Sequence, residues 1–292
     1  MSPKVPVLPL VGLAFAAFAG EAPPANAPNP FFAFKNSMET AGPASVDEQV
    51  KILKELGFDG FDNRNLNDLE AHVNALERAG MKLFTSYLTV KIDPGETPYN
   101  PVLPEALKLL EGHGTVLWCN TQSKQFEPSD PAGDALAVPI FQEIADLAAP
   151  YGVKVAPYPH IDLWVESPQD AVRLLPKVDR PNFGTSFNLF HWKALKERAL
   201  PLEEVVRLCA PRLMVLSLNG PAGPAGIGPL EEEGLPEYAR VLGAFRDAGY
   251  RGPVGLQCYR IPTDPREHLA QSMRVWRKLM DVLGKEEASK TP

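Results

Sequence analysis

Short apolar runs and longer amphipathic segments alternate along the chain from Phe31 onward. The run Phe31-Phe-Ala-Phe predicts a first buried strand. In the segment from Ser45 to Gly57, apolar residues recur at the spacing of one helix face. Ser45 and Glu48 form a capping box and Gly57 is typical of a helix end, so a helix is predicted between them.

The same alternation continues along the chain and predicts eight strands, each followed by a helix. The strands are predicted at residues 31–34, 58–61, 82–90, 115–119, 153–156, 182–187, 213–218 and 253–257. Strands that alternate with helices form parallel sheets with right-handed crossovers. Eight such units in about 250 residues predict an α/β fold, a single-domain (β/α)8 TIM barrel.

A doubly wound open sheet is the alternative architecture. Against it, no Gly-x-Gly-x-x-Gly motif follows the first strand, and there is no P-loop. A Gly- and Pro-rich loop, residues 220–228, follows the seventh strand. Its prolines carry no N–H group, and no helix begins close behind it. We interpret this loop as an ordered lid or connector; a phosphate-binding loop is the alternative.

The first residues have the pattern of an export signal. Lys4 precedes an apolar run, Val5 to Ala19, that ends in Ala-Phe-Ala. We therefore predict a signal peptide at residues 1–19, a Pro/Ala-rich linker at 20–30, the barrel at 31–284 and a polar tail at 285–292. The mature protein is expected to be exported, periplasmic or secreted, without membrane contact. A short N-terminal anchor or a buried apolar arm is the alternative interpretation of the run.

Composition excludes several classes of protein. The chain has 292 residues, 45% of them hydrophobic, and a formal net charge of −7. It has no basic block, so we expect no nucleic-acid surface. The three cysteines are odd in number, and their spacing matches neither a disulfide framework nor a zinc finger. The oligomeric state is not predicted.

Polar and aromatic side chains collect where the strands are predicted to end. Chemistry in a (β/α)8 barrel takes place at the carboxyl ends of its strands. Amides and hydroxyls match sugar hydroxyls as donors and acceptors together, so we predict a small-molecule carbohydrate as ligand. The predicted substrate-binding residues are Tyr87, Trp118, Gln122, Tyr158, Trp164, Asn188, Trp192, Ser217, Asn219 and Gln257. Any single one of them could instead be buried and paired for structural reasons.

Two histidines are the main candidates for acid/base catalysis. His160 follows the fifth strand and His191 follows the sixth. Imidazole titrates near neutral pH, which suits proton transfer. Asp162 or Glu166 could orient one of them, and Lys35, after the first strand, could hold an anion or polarise a carbonyl. A structural hydrogen bond at the barrel rim is the alternative role for each histidine.

The chain resembles the xylose isomerase-like TIM barrels, the sugar phosphate isomerase/epimerase family. The resemblance rests on the motifs Tyr158-Pro-His160, Asn188-Leu-Phe-His191-Trp192, Leu216-Ser-Leu-Asn-Gly220 and Gly252-Pro-Val-Gly-Leu-Gln257. It implies a barrel whose members hold a divalent metal with a Glu, an Asp, a His and a Glu after strands five to eight. In this chain those positions fall on Tyr158, Asn188, Ser217 and Gln257.

None of these four residues carries a negative charge. A divalent ion would be left uncompensated there, which is costly in a partly desolvated cleft. We therefore expect no metal and no other cofactor. The resemblance implies a sugar isomerase/epimerase-like protein that works by metal-independent acid/base chemistry at the C-terminal face. The alternatives are a non-catalytic sugar-binding barrel, or a lyase or hydrolase acting on an oxidised sugar.

Overall fold

Eight parallel strands form the barrel in the computed structural model, which describes residues 27–43, 45–223 and 226–290. The strands are β1 (Phe31–Ala33), β2 (Gly60–Asn63), β3 (Lys82–Lys91), β4 (Val116–Gln122), β5 (Lys154–Pro157), β6 (Thr185–Asn188), β7 (Leu213–Leu218) and β8 (Val254–Leu256). Their order in the sheet is β5-β4-β3-β2-β1-β8-β7-β6. Val155 N–H donates to the Asn182 carbonyl at 2.8 Å and Gly184 N–H to the Val155 carbonyl at 2.9 Å. These two bonds join β5 to the start of β6, so the predicted (β/α)8 barrel is confirmed.

Helices connect the strands on the outside of the barrel. They are α1 (Val46–Leu56), α2 (Leu69–Ala79), α3 (Leu103–Leu109), α4 (Asp134–Ala148), α5 (Pro168–Val178), α6 (Leu189–Ala194), α7 (Leu202–Cys209), α8 (Leu235–Asp247) and α9 (Pro265–Lys290). Ser45 caps α1 by accepting from Glu48 N–H, and Gly57 ends it with a φ of 90°. The short α6 was not predicted; it adds one turn and a half between β6 and α7 and carries His191.

The barrel interior is filled with large rings. Phe32, Phe34, Trp118 and Tyr158 pack together there, apart from the larger apolar layer between strands and helices. Gly255 makes room for them, because a Cβ at this residue would lie 2.4 Å from the Phe34 ring and 2.8 Å from the Phe32 ring. The interior is thus a packed core that supports the polar strand ends above it.

Both ends of the described chain pack against the barrel. Asn29, in the predicted linker, is buried; its amide donates to the Gly252 carbonyl and accepts from Arg246. Arg246 also pairs with Glu287, within the predicted polar tail, where α9 continues. The predicted signal peptide lies outside the described residues and stays a prediction. No helix in the described ranges is both long and apolar enough to span a membrane.

The Gly- and Pro-rich loop after β7 forms a short antiparallel ribbon. Ala222–Gly223 pairs with Gly226–Ile227. Ile227 and Tyr259 exchange backbone hydrogen bonds of 2.9 and 3.0 Å, which dock the ribbon on the segment after β8. A Cβ at Gly226 would lie 2.1 Å from the Tyr259 carbonyl oxygen. Only glycine allows this close approach, at the carboxyl ends of the strands.

Candidate functional site

Three neutral side chains form a hydrogen-bonded group at the strand ends. The Asn188 amide donates to the Tyr158 hydroxyl at 3.0 Å and to Gln257 Oε1 at 2.9 Å. Asn188 Oδ1 accepts from His191 N–H at 3.0 Å, so the same side chain caps α6. Asn188 is the last residue of β6, and Tyr158 and Gln257 directly follow β5 and β8, so the group crosses the mouth of the barrel.

His160 and His191 lie against each other beside this group. Their ring centroids are 3.9 Å apart. His160 Nδ1 is 2.7 Å from the Ile161 carbonyl, which can only accept, so Nδ1 carries the proton and Nε2 is free to accept. His191 Nδ1 accepts from Ile161 N–H at 3.3 Å, so its proton is on Nε2. The pair therefore offers one acceptor and one donor.

Burial keeps both imidazoles neutral. It lowers the pKa of His191 to about 2, and the neighbouring His160 lowers it further. Burial also lowers the pKa of His160, although the nearby Ile161 carbonyl and Asp162 favour its charged form. Near neutral pH, His160 is thus an unprotonated base and His191 a neutral hydrogen-bond donor.

Several buried polar atoms at this end of the barrel lack a hydrogen-bond partner among the described residues. They are Asp62 Oδ2, His191 Nε2, Ser217 Oγ and Asn219 Oδ1. Asp62 is the third residue of β2, and its other oxygen accepts from Lys35 N–H. Burial raises the pKa of Asp62 from 3.8 to about 7. Such atoms are normally satisfied by water or by a bound polar molecule.

A cavity of about 420 Å³ opens above these residues. Its size is within the range of small-molecule sites. His160, His191 and Gln257 line it from the barrel side, and Gly226 and Ile227 of the ribbon line it from above. The remaining lining residues are Asn36, Arg64, Ile161, Phe190, Gly223, Tyr259 and Arg260.

Tyr87, Trp118, Ser217 and Asn219 lie near this cavity without lining it. Trp118 is fully buried beneath Tyr158, with ring centroids 4.4 Å apart, and Tyr87 stands edge-on to Tyr158. Ser217 pairs with Asn188 in the β6–β7 register, and the Asn219 amide donates to the Gly220 carbonyl at 2.7 Å. These residues support the site from below and from the side.

Five predicted site residues lie elsewhere or are occupied by other partners. Lys35 Nζ is 2.9 Å from Asp68. Glu166 is buried and pairs with Arg198, and its further bond is to Asp162 N–H, not to a histidine. The indole N–H groups of Trp164 and Trp192 donate to the carbonyls of Asp130 and Leu200. Gln122 lines a separate cavity of about 330 Å³ with Lys91, Asp93, Glu96 and Lys124.

The prediction of site residues did not include Asn36, Arg64, Tyr259 and Arg260. Each lies a few positions after a strand, in the β1–α1, β2–α2 or β8–α9 connection. Position after a strand is therefore the sequence signal that could have identified these residues. Their side-chain directions depend on loop geometry. Arg260, for example, has a left-handed backbone with a φ of 58°.

The four family ligand positions do not fit a divalent cation. Tyr158, Asn188, Ser217 and Gln257 supply a phenol, two amides and an alcohol, with no carboxylate or imidazole. Asn188 already bonds to Tyr158 and Gln257. Within the described ranges, no group of three or more His, Cys, Asp or Glu side chains is placed to hold a metal ion. The donor set lacks the charge and the free oxygens that such an ion requires.

The model of the family "Xylose isomerase-like TIM barrel" matches residues 50–279. The match spans most of the 292 residues, and the chain belongs to this family. A search among curated proteins gives no matching relative.

Solved structures share the fold at low sequence identity. A D-allulose 3-epimerase from Methylomonas sp. aligns with a TM-score of 0.67 and 15% identity, over 86% of this chain and 98% of that one. A 3-keto-D-glucoside 4-epimerase from E. coli aligns with a TM-score of 0.63 and 15% identity, over 86% of this chain and 99% of that one. A xylose isomerase-like TIM barrel protein from Mycobacterium smegmatis, in complex with magnesium, aligns with a TM-score of 0.62 and 16% identity. The alignment covers 88% of this chain and 97% of that one.

Proposed function

We propose that this protein binds a sugar or sugar derivative at the C-terminal face of the barrel and isomerises or epimerises it without a metal. The observation that carries the proposal is the His160–His191 pair, whose rings are 3.9 Å apart and whose tautomers are complementary. Family membership and the two sugar-epimerase neighbours support a carbohydrate as the ligand.

In the proposed reaction, His160 Nε2 takes a proton from the carbon next to the sugar carbonyl. Negative charge then develops on the carbonyl oxygen, and the His191 Nε2–H group donates a hydrogen bond to that oxygen. For isomerisation, His160, now protonated, gives this proton to the former carbonyl carbon, while the hydroxyl proton of the deprotonated carbon passes to the former carbonyl oxygen and a new carbonyl forms there. For epimerisation, the intermediate turns in the cavity and His160 returns the proton to the same carbon on the opposite face, so that no proton is gained or lost overall. A positioned base of this kind contributes about 10²- to 10⁴-fold in rate.

A non-catalytic sugar-binding barrel is the second candidate. It is favoured by the neutral group of Tyr158, Asn188 and Gln257, whose polar atoms bond to one another where the family keeps its metal. Lyase or hydrolase chemistry on an oxidised sugar is a variant of the catalytic proposal. All three share a sugar in the cavity above His160 and His191.

Calorimetric titration of ketoses and aldoses, with EDTA present throughout, tests this shared requirement. We expect at least one sugar to bind. Gln257→Leu should then weaken the binding of that sugar about tenfold, because the substitution removes hydrogen-bonding groups from the cavity wall. Gln122→Leu is the matched control and should leave the affinity unchanged, since Gln122 lines the other cavity. Sugar binding that appears only after a divalent ion is added would contradict the metal-free proposal.

A further inference from the structure

The charge at the mouth of the cavity differs from that of the whole chain. The formal net charge of the protein is −7. Among the described residues that line the cavity, however, the charged side chains are Arg64 and Arg260, and no carboxylate lines it. The two histidines on its floor are neutral, because burial lowers the pKa of each. The cavity of an acidic protein therefore opens onto two guanidinium groups.

The two arginines differ in their partners. Arg64 binds both carboxylate oxygens of Glu39, at 2.7 and 2.8 Å, so its charge is compensated. Arg260 has no hydrogen bond or ion pair within the described part of the chain. Its guanidinium lies over the Tyr259 ring, 5.0 Å from the ring centroid. Arg260 thus presents an uncompensated positive charge at the cavity mouth.

The ribbon fixes the segment that carries Arg260. Ile227 and Tyr259 are joined by two backbone hydrogen bonds, and a Cβ at Gly226 would lie 3.2 Å from the Arg260 Cβ. Arg260 has a left-handed φ of 58°, which is uncommon for a residue other than glycine and occurs often at functional sites. Its backbone is therefore held in an unfavourable conformation at the cavity rim, by contacts that do not involve its charge.

We propose that the cavity takes a sugar acid and that Arg260 binds its carboxylate. The inference rests on the proposed function, since it names the class of sugar that the same site accepts. A guanidinium offers two parallel N–H groups, which match the two oxygens of a carboxylate. The sugar hydroxyls would face the polar groups of the floor, Gln257 among them, and the carbonyl would reach the two histidines.

A carboxylate suits this site better than a phosphate. A phosphate dianion requires several donors, such as lysines or free backbone N–H groups. No lysine lines the cavity among the described residues. The backbone N–H of His191, in the first turn of α6, is already bonded to Asn188. One uncompensated guanidinium corresponds to one carboxylate.

Calorimetry on the full chain, with EDTA present, tests the inference. The probes are three matched sets: D-glucose, D-galactose and D-mannose, each with its uronate and its 6-phosphate. We expect one uronate to bind about 10- to 100-fold more tightly than its neutral sugar, as for a charge-assisted hydrogen bond. Arg260→Ala should abolish that difference, and added salt should reduce it. Arg266→Ala is the control, because Arg266 pairs with Glu55 and does not line the cavity.

The outcomes separate this inference from the function on which it rests. Neutral sugars that bind as tightly as uronates, or a uronate preference that survives Arg260→Ala, would overturn the sugar-acid inference and leave the sugar site intact. Tighter binding of a 6-phosphate than of its uronate would also overturn it. If no sugar in the three sets binds, the sugar-acid inference fails. If none of the ketoses and aldoses titrated for the proposed function binds either, the proposed function fails with it.

Discussion

Two buried serines on neighbouring strands mark the difference between the packed interior of the barrel and its carboxyl end. Ser186, on β6, accepts from the Trp118 indole N–H at 2.7 Å and donates to the Pro157 carbonyl at 2.7 Å. Ser217, on β7, is equally buried, but its hydroxyl has no partner among the described residues. Ser186 belongs to the structural core, whereas Ser217 lies beside Asn188 at the site.

This difference separates groups that maintain the fold from groups that are available to a ligand. A buried polar atom without a partner costs free energy, so its persistence calls for water or a bound molecule. His191 Nε2 and Asp62 Oδ2 are further cases at the same end. Removing a satisfied group and removing an unsatisfied group should therefore change the free energy of unfolding by different amounts.

The largest expected effect on stability concerns Asp62. Burial raises its pKa from 3.8 to about 7, against the opposing influence of Lys35 N–H and Arg64. Between these two pH values the folded protein keeps a proton that the unfolded chain releases. The free energy of unfolding should therefore fall as pH rises from about 4 to 7, by up to about 4 kcal/mol. Asp62→Asn should remove this decline, which urea unfolding across pH would show.

The matched control for Asp62 is Glu70→Gln, at an exposed residue of α2, which should retain the decline. His191 contributes in the opposite direction, because its pKa is lowered and acid therefore destabilises the fold. The difference in pH dependence between the wild type and Asp62→Asn gives the contribution of the Asp62 carboxyl alone. An identical pH dependence in both proteins would mean that Asp62 is ionised in the fold.

The second largest change in stability is expected when Ser186, whose hydroxyl both accepts and donates a hydrogen bond, is replaced. Ser186→Ala leaves the Trp118 N–H buried without its acceptor, and we expect a loss of about 1–3 kcal/mol in the free energy of unfolding. Chemical denaturation measures it. A cost below about 0.5 kcal/mol would show that the Trp118–Ser186 bond does not support the core.

The smallest effect is expected for the unsatisfied serine. Ser217→Ala removes a hydroxyl that has no partner in the described structure, so stability should change by no more than about 0.5 kcal/mol. The same denaturation experiment checks it beside Ser186→Ala. Equal losses in the two variants would remove the distinction between the core and the site.

Much of the fold could be predicted from the sequence, because strand–helix alternation and the capping residues are local signals. Lys35 lies beyond β1, as the first residue of a short 3-10 helix, Lys35–Met38, and its Nζ pairs with Asp68. The strand pattern that identified β1 does not give the direction of a side chain in this helix.

The side-chain directions of residues beyond the strands could not be predicted in the same way. Trp164 follows a turn in which Asp162 has a φ of 69°, and its indole is directed to Asp130. Trp192 lies on α6, a helix that the pattern did not reveal. Arg260 reaches the cavity through a left-handed backbone that depends on the ribbon. Such directions arise from tertiary contacts, which sequence periodicity does not encode.

Deuterium exchange is the most direct test of metal-independent proton transfer by His160. D-fructose, D-tagatose and D-glucuronate are incubated with the protein in D2O with EDTA, and NMR follows the carbon next to the carbonyl. We expect deuterium at that carbon in at least one sugar. His160→Ala should slow the exchange about 10²- to 10⁴-fold with little change in affinity, while His113→Ala, in the α3–β4 turn, should leave it unchanged. Exchange that needs an added divalent ion, exchange that survives His160→Ala, or a bound sugar that never exchanges would contradict the claim.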